Sequence, residues 1–140
     1  MSLTARAESP VNPTEDVEKV ERALRNLFPS GQIERISSGD EIVRLRVHGN
    51  DLEFLNKLRN LIKQQRIRSA ARSIMYGRTS GNRTSIYLNK QAAFSGRVSF
   101  CEPVGESPLG PISLEIHSDR PEDVIDYLAS RPGEGSFARF

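Results

Sequence analysis

The stretch of this sequence with the clearest chemical potential is the run KQQRIRSAAR, which spans residues 63–72. It places four cationic side chains within ten residues and contains no Asp or Glu. Ammonium and guanidinium groups at this density suit the binding of phosphate oxygens. They equally suit an acidic protein surface or the solvated side of a helix. The surrounding sequence decides among these interpretations only in part.

The region without acidic residues is much longer than this run. No Asp or Glu occurs from Phe54 to Cys101, whereas ten cations do: Lys57, Arg59, Lys63, Arg66, Arg68, Arg72, Arg78, Arg83, Lys90 and Arg97. The rest of the chain carries the other ten cations and all 18 acids, so the net charge of +2 conceals a basic centre between acidic flanks. This asymmetry favours an anionic partner, although basic and acidic faces of one chain, or of two copies, also neutralise each other.

The choice of cation points the same way. The chain contains 16 Arg but only 4 Lys. Planar guanidinium groups form bidentate contacts with phosphate and stack on bases, which a lysine ammonium does not do. Genomic base composition and heat adaptation also enrich Arg, so this signal is weak by itself.

Residues for catalysis or metal binding are sparse. The two histidines, His48 and His117, each fall in an alternating strand pattern, which indicates exposed imidazoles. Cys101 is the only cysteine, and the segment GRTSGNRT lacks the Gly-Lys-Ser/Thr of a phosphate-binding loop. The sequence therefore predicts no enzyme, no metal site and no organic cofactor.

Hydrophobic spacing predicts the elements that must position the cations. Alternation predicts strands at residues 3–9, 42–48, 85–89, 97–102 and 112–118, with a strand end and hairpin turn before residue 42. Helical spacing predicts helices at residues 12–28, from 50 or 51 to at least 65, at 68–76 and at 118–130, with one helical turn in KQAAFSG. This order predicts an α+β two-layer sandwich with an antiparallel-rich mixed sheet and helices on one face.

Three local predictions are sharper. Asn12, Pro13 and Glu15 have the types and spacing of a helix N-terminus with a capping box. Val43, Leu45 and Val47 alternate with polar residues, so they are expected to face the core. The last helix is expected to be capped near Ser118 or Asp119, and GRTSGNRT is expected to be a flexible basic turn.

Length and composition predict one domain over residues 1–140, with a loose C-terminal tail at 131–140. The N-terminus lacks the apolar segment of a signal peptide, and no apolar run approaches the length of a membrane span. A lone cysteine fits a reducing compartment. The expected location is therefore the cytoplasm, with no membrane partner.

Three segments resemble an uncharacterised archaeal protein family that is predicted to bind RNA: NPTEDVEKVERALRNLFP, LNKQAAFSGRVSF and SPLGPISLEI. The resemblance covers nearly the whole chain. It implies a fold like that of the ribosomal protein that holds 5S rRNA on the large subunit, and an association with the archaeal exosome. The chain departs from the family pattern at Ser69 and Ala70, where members usually carry an Asp-Thr pair.

Taken together, these signals predict a non-catalytic protein that binds structured or double-stranded RNA through a basic helix-loop face, with a link to RNA processing or degradation. Few aromatic residues lie between the cations, which argues against a stacking platform for single strands. The predicted contact residues are Arg59, Lys63, Arg66, Arg68, Arg72, Arg78, Arg83, Asn89, Lys90 and Gln91.

The alternative is a protein-interaction module, or a homodimer, whose basic face meets an acidic surface. RNA-processing proteins and a second copy of the chain are accordingly further candidate partners. If the cations are unpaired, changing Arg66 and Arg72 to Glu should leave the fold intact and weaken RNA binding.

Overall fold

The computed structural model describes residues 2–102 and 110–131. Six strands form one sheet in the order β2-β3-β1-β6-β5-β4, and the five described strand pairings are all antiparallel. The strands are β1 (Leu3–Pro10), β2 (Glu34–Ser38), β3 (Glu41–Gly49), β4 (Thr79–Ser80), β5 (Arg83–Leu88) and β6 (Ile112–Ser118). The sheet is therefore built mainly from partners that lie far apart in sequence.

Five helices pack against one face of this sheet. They are α1 (Val17–Leu27), α2 (Asn56–Gln64), α3 (Arg68–Gly77), α4 (Lys90–Phe94) and α5 (Pro121–Leu128), with a 3-10 turn at Leu52–Leu55 ahead of α2. Among the described residues, no helix is long and apolar enough to cross a membrane. The predicted α+β two-layer sandwich with helices on one face is confirmed.

Alternation along the strands places the core. Ala5 and Ala7 of β1, Leu45 and Val47 of β3 and Ile86 of β5 are buried, whereas their sequence neighbours are exposed or only partly buried. Val43 lies on the same side of β3 but is only partly buried. The inward rows pack on the buried sides of the helices, so the sheet has one dry face and one wet face.

Two helix starts differ from their predictions. α1 begins at Val17 with Asp16 as its N-cap, and the Asp16 carboxylate accepts a hydrogen bond from the Glu18 amide. The predicted pairing of Asn12 with Glu15 does form, since the Glu15 carboxylate accepts from the Asn12 amide at 3.0 Å. It closes a separate turn just before the helix. The N-cap of α5 is likewise Arg120, one or two residues later than predicted.

Two of the three segments around β5 differ from their predictions. GRTSGNRT forms a tight hairpin, because Thr79 pairs with Thr84 and Ser80 with Arg83 across Gly81, which has a φ of +61°. Residues 97–102 do not form a full strand, although Phe100 makes an isolated bridge to Leu88. The single turn expected in KQAAFSG is present as α4. Residues 103–109 and 132–140, which include the predicted tail after Arg131, lie outside the described residues.

A buried ion pair ties α4 to the start of α1. The Lys90 side chain is only 5% exposed, and its Nζ lies 2.9 Å from Glu15 Oε1 and 2.8 Å from the Pro10 carbonyl oxygen. Burial by itself would raise the pKa of Glu15, but the Asn12 amide and the Lys90 ammonium hold it below its usual value. Each charge is thus tolerated only because the other is present.

We expect Lys90→Met to lower the free energy of unfolding by about 3 kcal/mol, because it leaves the Glu15 carboxylate without its counter-ion in a poorly solvated position. Urea denaturation monitored by circular dichroism measures this loss. The matched control is Lys57→Met on the exposed surface of α2, which should change stability by less than about 0.5 kcal/mol. Equal effects of the two substitutions would show that the buried pair has no special role.

The lowered pKa of Glu15 also predicts a pH dependence. The carboxyl binds its proton less readily in the folded state, so its contribution is present above the ordinary pKa of 4.5 and is lost as the pH falls through the folded value. The difference in unfolding free energy between the wild type and Glu15→Gln should therefore shrink as the pH falls below 4.5 and through the lower pKa of the folded state. Urea titrations at several pH values test this, and a difference that is independent of pH contradicts it.

Candidate nucleic-acid interface

The junction between α2 and α3 has an unusual backbone. α2 ends in a Schellman-type turn, in which the Arg66 amide donates to the Lys63 carbonyl and the Ile67 amide donates to the Ile62 carbonyl, at 3.1 and 3.2 Å. The residue after the helix cap in this turn is left-handed and is usually Gly. Here it is Arg66, with a φ of +60°, the only such value at a non-glycine in residues 2–102 and 110–131. Its side chain is exposed.

Three arginines surround the C-terminal end of α5. Arg59 Nε donates to the carbonyl of Tyr127 at 3.1 Å, and Arg72 Nη1 donates to the carbonyl of Ala129 at 3.0 Å. Arg68 Nη1 donates to the hydroxyl of Ser130 at 3.2 Å. The last carbonyls of a helix lack intrahelical partners and carry partial negative charge, so cations stabilise them. These arginines therefore hold α5 against α2 and α3.

In the folded chain, three arginines of the acid-free region lie next to carboxylates from other parts of the sequence. Arg72 pairs with Asp126 at 2.6 Å, Arg78 with Glu102 at 2.7 Å and Arg83 with Glu115 at 3.7 Å. All three acids come from outside residues 54–101. The charge of these arginines is thus partly compensated, which the linear sequence did not show.

Four of the predicted cations differ from these three arginines. Within the described part of the chain, no carboxylate lies within ion-pairing distance of the side chains of Arg59, Lys63, Arg66 and Arg68, which we call the α2–α3 cation cluster. The bonds of Arg59 and Arg68 to α5 go to a carbonyl and a hydroxyl, so they fix the guanidinium groups without neutralising them. Arg59, Lys63 and Arg68 line one small indentation together with Tyr127, Leu128 and Ser130.

The remaining predicted contact residues have structural roles or lie elsewhere. Asn89 caps α4 by accepting a hydrogen bond from the Ala92 amide at 2.8 Å. Lys90 is buried against Glu15, so a phosphate oxygen has little access to its ammonium group. Gln91 is exposed in a groove between α1 and α4. The structure therefore brings together Arg59, Lys63 and Arg68 of α2 and α3 but not the Asn-Lys-Gln segment.

Sequence reasoning missed a second polar surface, on the wet face of the sheet. Cross-strand pairing places Arg6 of β1 between His48 of β3 and Glu115 of β6, and it places Thr4 beside His117. The alternation of each strand indicated a wet face, but only the strand order shows which side chains become neighbours. Among residues 2–102 and 110–131, no three His, Cys, Asp or Glu side chains are placed to hold a metal ion.

An α+β sandwich with an uncompensated cation cluster on its helical layer is suited to polyanion binding. Comparison with known families agrees with a protein that binds a polyanion. Residues 4–118 match the model of a family described as RNA binding. The chain belongs to this RNA-binding family.

Its relatives are archaeal. The chain is 39% identical to a UPF0201 protein of Sulfolobus acidocaldarius over 128 residues, which cover 91% of this chain and 88% of that protein. It is 43% identical to a UPF0201 protein of Methanopyrus kandleri over 133 residues, covering 89% and 83%. The crystal structure of a UPF0201 protein from Methanococcus jannaschii is similar with a TM-score of 0.80 and 30% identity, covering 91% and 93%.

The contacts of Arg72 revise the expectation that Arg66 and Arg72 can both be changed without cost to the fold. Arg72 is only 14% exposed and is bonded to Asp126 and Ala129. We expect Arg72→Met to lower the free energy of unfolding by about 2 kcal/mol, because it leaves these acceptors unpaired. Lys63→Met is the control, since Lys63 is exposed on the same helical layer. Urea denaturation compares them, and an Arg72→Met protein as stable as the control would refute this role.

Proposed function

We propose that the protein is a non-catalytic RNA-binding protein that holds structured or double-stranded RNA by its phosphate groups, with the α2–α3 cation cluster as the main contact. The observation that carries this proposal is that no carboxylate of the described residues pairs with Arg59, Lys63, Arg66 or Arg68. Arg59, Lys63 and Arg68 line one indentation of the helical layer, and Arg66 is exposed in the turn between α2 and α3. Polyanion binding relieves the mutual repulsion of such a cluster and releases counter-ions from the RNA.

The backbone of Arg66 supports this assignment. A left-handed conformation costs a non-glycine residue about 1–2 kcal/mol, and glycine at this position would avoid that cost. The exposed Arg66 side chain makes no described hydrogen bond, ion pair or ring contact that would offset the strain. Strain that has no structural benefit is characteristic of a functional residue.

The aromatic contacts favour phosphate binding over base stacking on this layer. Arg59 lies over the ring of Tyr127 at 5.1 Å, and Arg72 lies over the ring of Tyr76 at 5.2 Å. One side of each ring is therefore already occupied by a guanidinium. Shape-selective recognition of paired RNA uses phosphate and sugar contacts, whereas single strands are bound by stacking on free rings.

The other predicted contacts are assigned smaller roles in this proposal. Arg72 and Arg78 have N–H groups left beyond their ion pairs, so they supply outer phosphate contacts. Arg83 pairs with Glu115 on the wet face of the sheet, so it is not assigned to this interface. Asn89 and Gln91 add polar contacts only if the RNA extends toward α4. Lys90 is assigned no RNA contact, because its ion pair with Glu15 stabilises the fold. The proposal also includes a link to RNA processing or the exosome and a fold like that of the 5S rRNA-binding ribosomal protein, which the family resemblance implies. It further includes a cytoplasmic location and a single domain, which the composition and length favour.

The test is the variant Lys63→Gln/Arg66→Gly. We expect it to reduce the slope of log affinity against log salt concentration by about two, because two phosphate contacts are lost. Arg66→Gly alone should leave the free energy of unfolding unchanged or raise it by about 0.5 kcal/mol, since glycine accepts the left-handed backbone. Fluorescence anisotropy with a labelled duplex RNA at several salt concentrations measures the slope.

Lys19→Gln provides the matched charge control, because Lys19 is exposed on α1 and is absent from the described ion pairs. A double variant that binds duplex RNA with the affinity and salt slope of the wild type would refute the proposed interface. Salt-dependent binding to an acidic protein or to a second copy, without binding to RNA, would instead support the interaction-module alternative.

A further inference from the structure

The wet face of the sheet carries a second group of side chains that can donate hydrogen bonds to an anion. The strand register pairs Arg6 with His48 on one side, and it pairs His117 with Thr4 and Arg83 on the other. These side chains come from four adjacent strands, so the sheet itself fixes their spacing. The helices lie on the opposite face, and the α2–α3 cation cluster therefore belongs to a different surface.

All of these residues except Arg83 line a depression of about 420 Å³. We call it the sheet-face depression, and its polar lining consists of Thr4, Arg6, Arg46, His48, Asn50 and His117 together with the carboxylates of Glu34 and Glu115. A single phosphate does not fill a depression of this size. It is within the range of sites for small organic ligands, about 300–1,000 Å³.

The ion pairs of this surface leave donors available. Glu115 is shared, because its carboxylate lies 3.5 Å from Arg6, 3.7 Å from Arg83 and 2.9 Å from His117. Glu34 lies 3.5 Å from His48. Arg6 remains 50% exposed and His48 61% exposed, so these contacts do not enclose them. The single negative charge of Glu115 cannot neutralise two guanidinium groups, and exposed ion pairs of this kind are weak. The surface can therefore accept another anion.

We propose that the sheet-face depression binds one nucleoside phosphate unit, with Arg6 and the two histidines on its phosphate and with Thr4 and Asn50 on its polar edges. The ligand is either an unpaired nucleotide of an RNA strand or a free nucleotide, since both present the same chemistry. Imidazole rings supply π-faces on which a base stacks, in addition to donating hydrogen bonds. This site goes beyond the proposed function, because it lies on the other side of the sheet and requires an unpaired nucleotide.

Glu115 is the shared carboxylate of this surface. The hydrogen bond from His117 holds the pKa of the Glu115 carboxyl below its usual value against the opposing effect of burial, and Arg83 and Arg6 also lower it. Glu115 therefore remains an anion that holds the neighbouring donors in place, and an anionic ligand would bind the exposed donors that surround it.

The experiment uses the full-length protein with two probes, uridine 5′-monophosphate and a short single-stranded oligouridine. Titration calorimetry measures the affinity, and amide NMR shifts locate the ligand on β1, β3 and β6. We expect Arg6→Gln to weaken binding about tenfold or more, because a charge-assisted hydrogen bond to phosphate is lost.

Arg44→Gln is a closely matched control. Arg44 lies on the same wet face and is 49% exposed, with a 3.5 Å ion pair to Glu8, whereas Arg6 is 50% exposed with a 3.5 Å ion pair to Glu115. Arg44 does not line the depression. The control variant should therefore bind both probes as the wild type does.

The outcomes separate the two sources of ligand. Binding of the oligonucleotide but not of the mononucleotide identifies an unpaired nucleotide of RNA, and equal binding of both identifies a free nucleotide. The NMR shifts that the mononucleotide causes should fall on β1, β3 and β6 and not on α2 or α3, which separates this site from the helical interface. No binding of either probe, equal effects of Arg6→Gln and Arg44→Gln, or shifts on the wet face that depend only on protein concentration would overturn the proposal.

Discussion

Burial of a single face of the sheet determines most of the molecule. Each long strand presents alternate side chains to the helices, and five helices can cover only the side on which those rows are apolar. The rows on the other side must therefore be compatible with water, which explains the Arg, His and Glu side chains of β1, β3 and β6. The two candidate binding surfaces follow from the same constraint, since one lies on the helical layer and the other on the uncovered sheet.

Arginine is used for different purposes in the helical layer. Arg72 pairs with a carboxylate and is nearly buried, so its charge supports the packing of α5. Arg59 and Arg68 contact the same end of α5 through uncharged acceptors, a carbonyl and a hydroxyl. Contacts of this kind restrict the rotamers of a long side chain, which lowers the entropic cost of later binding. The same helix end thus stabilises the fold and positions cations that remain charged.

The sequence allowed prediction of the features that depend on local spacing. Helical periodicity located α1, α2 and α3, and alternation identified Leu45 and Val47 as core residues. Contacts between distant residues were inaccessible, since Arg72 meets Asp126 across 54 positions and Lys90 meets Glu15 across 75. This is why a region that lacks acids in sequence acquires them in space. No sequence signal marked the left-handed backbone of Arg66, because the position that normally calls for Gly holds an ordinary helix former.

The distinction between charged and uncharged acceptors is what makes the helical layer a candidate interface at all. A count of hydrogen bonds treats Arg59 and Arg72 alike, since both donate to the end of α5. Electrostatically they differ, because a carboxylate cancels most of the field of its partner whereas a carbonyl dipole cancels only a small part. A cation held by a carbonyl is therefore both ordered and unneutralised. Ordered cations that keep their charge bind a rigid, densely charged polyanion such as paired RNA with little loss of entropy, because neither partner must reorganise on binding.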